Sequence, residues 1–338
     1  MVENERNAKL LSIIVPCYNE EMGLRLFHGA LKDQFDRIRE KGYDYEVIYV
    51  DDGSRDRSLE RILEFVDSDR NTKFISFSRN FGKESAMLAG LEAATGDCAV
   101  ILDADLQHPP SLIPRMLEKY EEGYEQVIAR RSRKGEPWKS AFFARMYYKL
   151  TDKLIDVKLV DGAGDFRLLD RMVIDAVLSM KETNRFSKGL FSWVGFRQTY
   201  IEYENRKRFA SQSHWSFRRL LGYGVDGVVS FNVQPLRMCV YLGGILLILS
   251  ILYLIYLFVR ILIYGIDVPG YFTTITLISV LGGVQLVSLG IIGEYVGRIY
   301  AEVKKRPLYI VERTNVNDSE PRVRCSGREK DENGKVSR

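Results

Sequence analysis

The 338-residue chain is 46% hydrophobic and 28% charged, enough apolar material for folded cores, which excludes disorder throughout. Its 49 basic and 45 acidic residues leave a net charge of +4, too balanced for a protein that coats nucleic acid, so any basic function must be local. Four cysteines, Cys17, Cys98, Cys239 and Cys325, stand far apart, which argues against a disulfide framework or a zinc knuckle.

Residues 1–10 are polar and the apolar run 10–15 is too short for the core of a secretory leader, so the N-terminal part is expected to stay where it is made. Over residues 1–210, apolar runs of strand length alternate with segments of helical spacing. Residues 11–16, 46–50, 73–77 and 98–102 have the pattern of buried parallel strands, and 57–66 and 111–120 that of helices between them. This alternation predicts an α/β sheet, in which ligands bind beyond the carboxyl ends of the strands.

The strand ends carry one polar constellation: residues 15–20 (Val-Pro-Cys-Tyr-Asn-Glu), 51–54 (Asp-Asp-Gly-Ser), 78–84 (Ser-Arg-Asn-Phe-Gly-Lys-Glu) and 103–109 (Asp-Ala-Asp-Leu-Gln-His-Pro). The first turn has a proline where a dinucleotide fingerprint needs glycine, and no P-loop is present. Asp103 and Asp105 flank Ala104 at a strand end, a spacing that can put carboxylates on a hard divalent ion while leaving room for phosphate oxygens. With Tyr18, Glu20, Asp51 and Asp52 at neighbouring strand ends, a metal and nucleotide site is the better reading than a solvated turn.

Farther along, Phe217, Leu220, Leu221, Val225, Val228 and Val229 share one helical face beside Arg218 and Arg219, so 211–237 reads as an interfacial amphipathic segment, with packing on its own domain as the alternative. Two uncharged runs follow, within expected spans 238–260 and 271–293, each long enough as a helix for a hydrocarbon core of about 30 Å. Arg218, Arg219 and Arg237 precede the pair, and Arg298, Lys304, Lys305 and Arg306 follow it. The loop between carries few charges, so both termini are expected on the cytoplasmic side. Residues 294–312 read as an amphipathic and then an extended segment, and 313–338 as a disordered tail.

These residues resemble the family 2 glycosyltransferases of the GT-A fold, specifically the bacterial undecaprenyl-phosphate enzymes with two C-terminal membrane helices. The likeness covers about residues 10–312. Beyond the Asp-Ala-Asp segment it rests on residues 164–168 (Gly-Asp-Phe-Arg-Leu), 184–189 (Asn-Arg-Phe-Ser-Lys-Gly), 293–300 (Gly-Glu-Tyr-Val-Gly-Arg-Ile-Tyr) and 304–309 (Lys-Lys-Arg-Pro-Leu-Tyr). It implies inverting transfer of one hexose, N-acetylglucosamine ahead of glucose, from a UDP-sugar to a polyprenyl phosphate at the cytoplasmic membrane. It also implies a homo-oligomer, a tetramer in the family, and a downstream flippase and transferase.

Carried over by position, Pro16, Tyr18, Glu20, Asp52 and Asp103 resemble the nucleotide-sugar cradle, while Asp103, Asp105 and Gln107 resemble the Mg2+ or Mn2+ site. Arg131 and Arg145 resemble arginines at the acceptor phosphate, and Arg206 and Arg208 the family's basic loop. That loop normally continues Ala-Gly-x-Ser-Lys, but here Ser211 replaces the glycine and His214 the lysine. Asp165 resembles an aspartate near the sugar, where it could orient the donor, Arg167 or the acceptor. Two other classes remain: a processive polysaccharide synthase, whose Gln-x-x-Arg-Trp motif is missing here, and a non-catalytic membrane scaffold, against which the intact acidic constellation speaks.

Overall fold

The computed structural model describes residues 8–131, 163–182, 185, 187–203, 234–265 and 270–316. They fall into two units. The first holds the described residues up to Tyr203 together with 307–316, and the second those from 234 to 306.

In the first unit the chain runs β1 (Lys9–Cys17), α1 (Glu21–Lys32), α2 (Phe35–Glu40), β2 (Tyr43–Asp51), α3 (Ser58–Ser68), β3 (Thr72–Phe77), α4 (Lys83–Ala93) and β4 (Cys98–Ile101). A 3-10 turn (Pro110–Leu112) leads into α5 (Ile113–Glu121), followed by β5 (Gln126–Arg131), β6 (Ala163–Asp170), α6 (Arg171–Ser179), α7 (Ser187–Trp193) and β7 (Gln198–Tyr203). The last strand, β8 (Val311–Thr314), comes after the second unit. Among the described residues these strands form one sheet in the order β7-β5-β6-β4-β1-β2-β3-β8.

The four strands expected from the sequence are its parallel centre, with β1 between β2 and β4 and β2 beside β3. Period-2 alternation divides their side chains between two layers. Ile13 and Val15 join Leu24, Phe27 and Leu31 of α1, Ile62 and Phe65 of α3, and Met116 and Leu117 of α5 in one core. Ile14 faces the other way, into a core with Ala86, Met87 and Ala89 of α4 and Val173, Ile174 and Val177 of α6. Helices on both faces explain why the central strands bury apolar side chains on both sides of the sheet. Small residues let α4 lie close: a Cβ on Gly90 would come within 2.2 Å of Ile14 Cγ2. Helix α6 begins at Asp170, whose carboxylate accepts the Met172 N–H at 2.7 Å as an N-cap.

The direction of the strands decides what meets at the functional edge. Strand β6 is antiparallel to both β4 and β5, so β5 runs with the central strands and the start of β6 lies beside their carboxyl ends. Strand β8 closes the opposite edge of the sheet by antiparallel pairing with β3. The segment before it is tied in as well. Ile310 O accepts from Ser78 N at 3.0 Å, Ser85 Oγ donates to Leu308 O at 3.2 Å, and Tyr309 stacks on Phe77 with centroids 4.8 Å apart. Strand β8 runs through Thr314, past the boundary expected at residue 312, and the Asn315 side chain accepts the Phe74 N–H at 2.7 Å.

The second unit consists of α8 (Gln234–Tyr264) and α9 (Tyr271–Lys304), which pack on each other. Both outrun the uncharged stretches that predicted them, because a helix can continue through Arg260 or through 294–304 once charged side chains are in reach of water. Residues 280–304 are long and apolar enough to cross a membrane, and 251–264 form a shorter apolar stretch. Their large apolar side chains face outward, as at Leu262 and Leu286. Most of the expected interfacial segment 211–237 lies outside the described residues.

Candidate active site

At the carboxyl end of β1, buried Pro16 pairs with Val50 beyond the last β1–β4 pair, Ile14 with Ile101, and the chain then turns outward. Tyr18 is 43% exposed there, available to a flat ligand. Asn19 is left-handed at φ 54° and is stitched to the loop after β2: its N–H donates to Ser54 Oγ at 3.0 Å and its side-chain oxygen accepts from Arg55 N at 2.9 Å. Glu20 N donates to Ser58 Oγ at 2.8 Å, which fixes the start of α1 against α3.

Asp51 and Asp52, at the end of β2, are both buried. Asp51 accepts from Ser54 N and Ser76 Oγ. The Asp52 carboxylate accepts the N–H groups of Phe81 at 2.7 Å and Gly82 at 2.9 Å, so this cradle residue holds the loop that follows β3. Burial raises the Asp52 pKa, an effect its backbone donors oppose. Gly53 makes that packing possible, since it sits at φ 66° and a Cβ there would lie 2.4 Å from the Arg79 carbonyl carbon.

The loop delivers Lys83, the first residue of α4, to the centre of the edge. Its Nζ is 2.7 Å from Asp103 Oδ1, 2.8 Å from Asp103 Oδ2 and 2.7 Å from Asp165 Oδ2. Burial alone would lower the lysine pKa, but the two carboxylates outweigh it and push the pKa above its ordinary value. Burial likewise opposes ionisation of Asp165, yet Lys83, Lys188 and Arg167 hold it well below the usual carboxylate range. Asp165 is thus a carboxylate at neutral pH, and its buried Oδ1 has no hydrogen-bond partner among the described residues.

Asp105 Oδ1 accepts from Gln107 N at 3.0 Å, closing the turn after β4 around left-handed Leu106. Two carboxylates and the Gln107 amide oxygen are hard donors of the kind a divalent ion takes, alongside water and phosphate oxygens. Among the described residues no cluster of three or more His, Cys, Asp and Glu side chains is already shaped around an ion. His108 Nδ1 lies 3.5 Å from Asp103 Oδ2, and its ring packs on Phe166 and Tyr203. Burial lowers its pKa, an effect that Asp103 and Asp105 oppose.

Arg131 ends β5 and is paired in register with Tyr203, the aromatic neighbour of His108. It therefore stands at the same edge as Asp103 and Asp165. Arg145, Arg206, Arg208 and His214 lie outside the described residues. Of the motif at 184–189, Arg185 donates to Met180 O at 2.6 Å, closing α6, and Ser187 donates to Glu84, the neighbour of Lys83, through both N and Oγ. Arg167 is buried, stacked on Phe191 and bonded to Gly164 O at 2.8 Å, so it braces Asp165.

The residue that the sequence left without a role is Lys83. Its signal was a cation at the start of a helix, where the macrodipole disfavours positive charge.

A profile of glycosyl transferase family 2 matches residues 12–178, and one of the GtrB C-terminal hairpin matches residues 234–299. The Bacillus subtilis protein named "Putative glycosyltransferase CsbB" is 52% identical over 307 residues, covering 91% of this chain and 92% of that one. An Escherichia coli protein named as a prophage bactoprenol glucosyl transferase homolog is 36% identical, covering 90% and 98%. The bactoprenol glucosyl transferase of Shigella phage SfII is 37% identical, covering 90% and 98%. With its acidic edge on a GT-A-like sheet and the paired helices behind it in sequence, the chain belongs to glycosyl transferase family 2 and is a glycosyltransferase.

Proposed function

We propose that the protein moves one hexose, glucose or N-acetylglucosamine, from a UDP-sugar to undecaprenyl phosphate at the cytoplasmic face of the cell membrane, with inversion at the anomeric carbon. The observation that carries this reading is the gathering of Asp103 and Asp165 on one ammonium group at the sheet's carboxyl edge. That is a charge-dense site suited to a diphosphate and its counter-ion, in a chain that also carries an apolar helical pair. The bactoprenol glucosyl transferases among its relatives support the lipid acceptor and bring glucose level with N-acetylglucosamine.

In this reading Pro16, Tyr18, Glu20, Asp52 and Asp103 receive the nucleotide, with the Tyr18 ring as the stacking surface. Asp103, Asp105 and Gln107 would hold Mg2+ or Mn2+, which would supply charge neutralisation for a departing diphosphate. The acceptor is a phosphate monoester with a second pKa of about 6, already largely a dianion at neutral pH, so attack needs positioning more than a strong base. Its oxygen forms the new bond to the anomeric carbon as the bond to UDP breaks, from the opposite face. Arg131, Arg145, Arg206 and Arg208 orient that phosphate through planar, bidentate donors. Asp165, ionised and braced by Arg167, positions the sugar rather than taking a proton. Helices α8 and α9 span the membrane as a hairpin with both termini cytoplasmic, and the protein assembles as a homo-oligomer that passes its product to a flippase and a further transferase.

The test is incubation of the detergent-solubilised protein with undecaprenyl phosphate and labelled UDP-glucose, UDP-N-acetylglucosamine or GDP-mannose. A lipid carrying a single sugar from one of the UDP donors is expected. A polymer, mannose transfer or no product overturns the reading.

A further inference from the structure

We propose that Lys83 is the resident counter-cation of the donor site, a positioning residue that spans Asp103 and Asp165 before the substrate arrives and gives up Asp103 to the divalent ion when the donor binds. The inference rests on the metal-dependent reading above.

The geometry is specific. Lys83 opens α4 and is aimed by the loop that Asp52 anchors through Phe81 and Gly82. Its ammonium group touches both oxygens of Asp103 and one of Asp165 at 2.7 to 2.8 Å. Those two carboxylates come from β-strand ends far apart in sequence, and both side chains are mostly buried, at 21% and 15% exposure. Two carboxylates brought together at such a place need a shared cation. Lysine suits a temporary one, because its point charge sits on a flexible stem, whereas a guanidinium fork fixes its partners in a plane. The Lys83 side chain is 42% exposed, so part of its flexible stem reaches solvent although its ammonium group is held between the two carboxylates.

A divalent ion that takes Asp103 competes with Lys83 for the same oxygens. Removing the ammonium charge should therefore make the empty site bind a bare divalent ion more tightly, while transfer becomes slower because Asp165 loses its tether to the donor side. A lysine that merely braced the fold would give the opposite sign, since its loss would loosen the carboxylates and weaken the ion.

The experiment is a Mn2+ titration of the full-length protein in detergent, read by the electron paramagnetic resonance of free Mn2+, with and without UDP. It compares wild type, Lys83→Gln and Lys83→Arg, with Asp105→Asn showing which binding belongs to this site. Lys83→Gln is expected to bind Mn2+ alone roughly tenfold more tightly, the size set by one unit charge near a divalent ion under aqueous screening. Its turnover on undecaprenyl phosphate falls on the order of 100-fold, as expected when a reacting group is misplaced by about 1 Å. Lys83→Arg keeps the charge and stays near wild-type Mn2+ affinity. Equal or weaker Mn2+ binding by Lys83→Gln overturns the role of Lys83 and leaves the transferase reading intact. Wild type that binds no Mn2+ even with UDP removes the metal-dependent reading and this inference with it. A second readout uses wild type alone: acylation of Lys83 by an amine reagent, followed by mass spectrometry, should rise several-fold on adding Mn2+ and UDP. No change there also overturns the proposal, even where a variant fails to fold.

Discussion

The carboxylate of Asp52 accepts the backbone N–H of Phe81 at 2.7 Å, so the end of β2 determines where the loop after β3 turns into α4. The same side chain takes Gly82 N–H, which leaves two half-buried donors dependent on one acidic residue. Asp52→Asn retains one oxygen but sets an NH2 group against the other N–H. A loss of about 1–3 kcal/mol is expected from the unsatisfied donor. Chemical denaturation of the solubilised protein would measure it, and an unchanged midpoint would show that the loop holds its place without the carboxylate.

How much of this was legible in the sequence depends on how local the signal was. The central strands announced themselves through apolar runs of strand length, and the acidic residues after β4 through their spacing. Strand β8 did not, because four residues of mixed polarity pair with β3 some 240 positions away, as the Asn315 to Phe74 contact illustrates. Asp52 was legible as a strand-end residue, but that it faces a backbone loop depends on the pairing of β2 with β3. Lys83 carried a weak local clue, and its partners Asp103 and Asp165 meet only because β6 runs antiparallel beside β4.

Glu46 supplies a pH dependence. It is buried in β2 and accepts hydrogen bonds from Ser12 Oγ, Lys73 Nζ and Thr95 N and Oγ1. Burial opposes its ionisation, but Lys73, Ser12 and Thr95 more than compensate, and its pKa is lowered. A depressed folded-state pKa means stability that is fully present above the unfolded value of about 4.3 and lost as pH falls through the folded one. Glu46→Gln should therefore be less stable than wild type at pH 7, and the gap should close below about pH 4. Thermal midpoints of both proteins across pH 3–7 would check this, and a gap that stays constant would exclude the linkage.

The arginines and lysines that flank the helical pair predict its orientation. A cysteine reporter at Val268, between α8 and α9, should react with an impermeant reagent added outside intact cells. Reporters at Asn4 and Ser326 should react once the membrane is opened. Labelling of all three from one side would remove the spanning hairpin, and the lipid would have to reach the site by another route.

Arg131 separates acceptor from donor. It ends β5 in register with Tyr203, on the edge that carries Asp103 and Asp165, and its guanidinium could hold a phosphate in a plane that lysine cannot reproduce. If it orients the lipid phosphate, Arg131→Lys should bind UDP-sugar and metal almost as wild type does and yet transfer slowly. The retained charge does not rescue the rate, because misplacing the attacking oxygen by about 1 Å can cost on the order of 100-fold. Calorimetry with donor and Mn2+, paired with turnover on undecaprenyl phosphate, would distinguish the two steps. Equal losses in donor affinity and turnover would move Arg131 to the diphosphate, leaving Arg145, Arg206 and Arg208 to receive the acceptor.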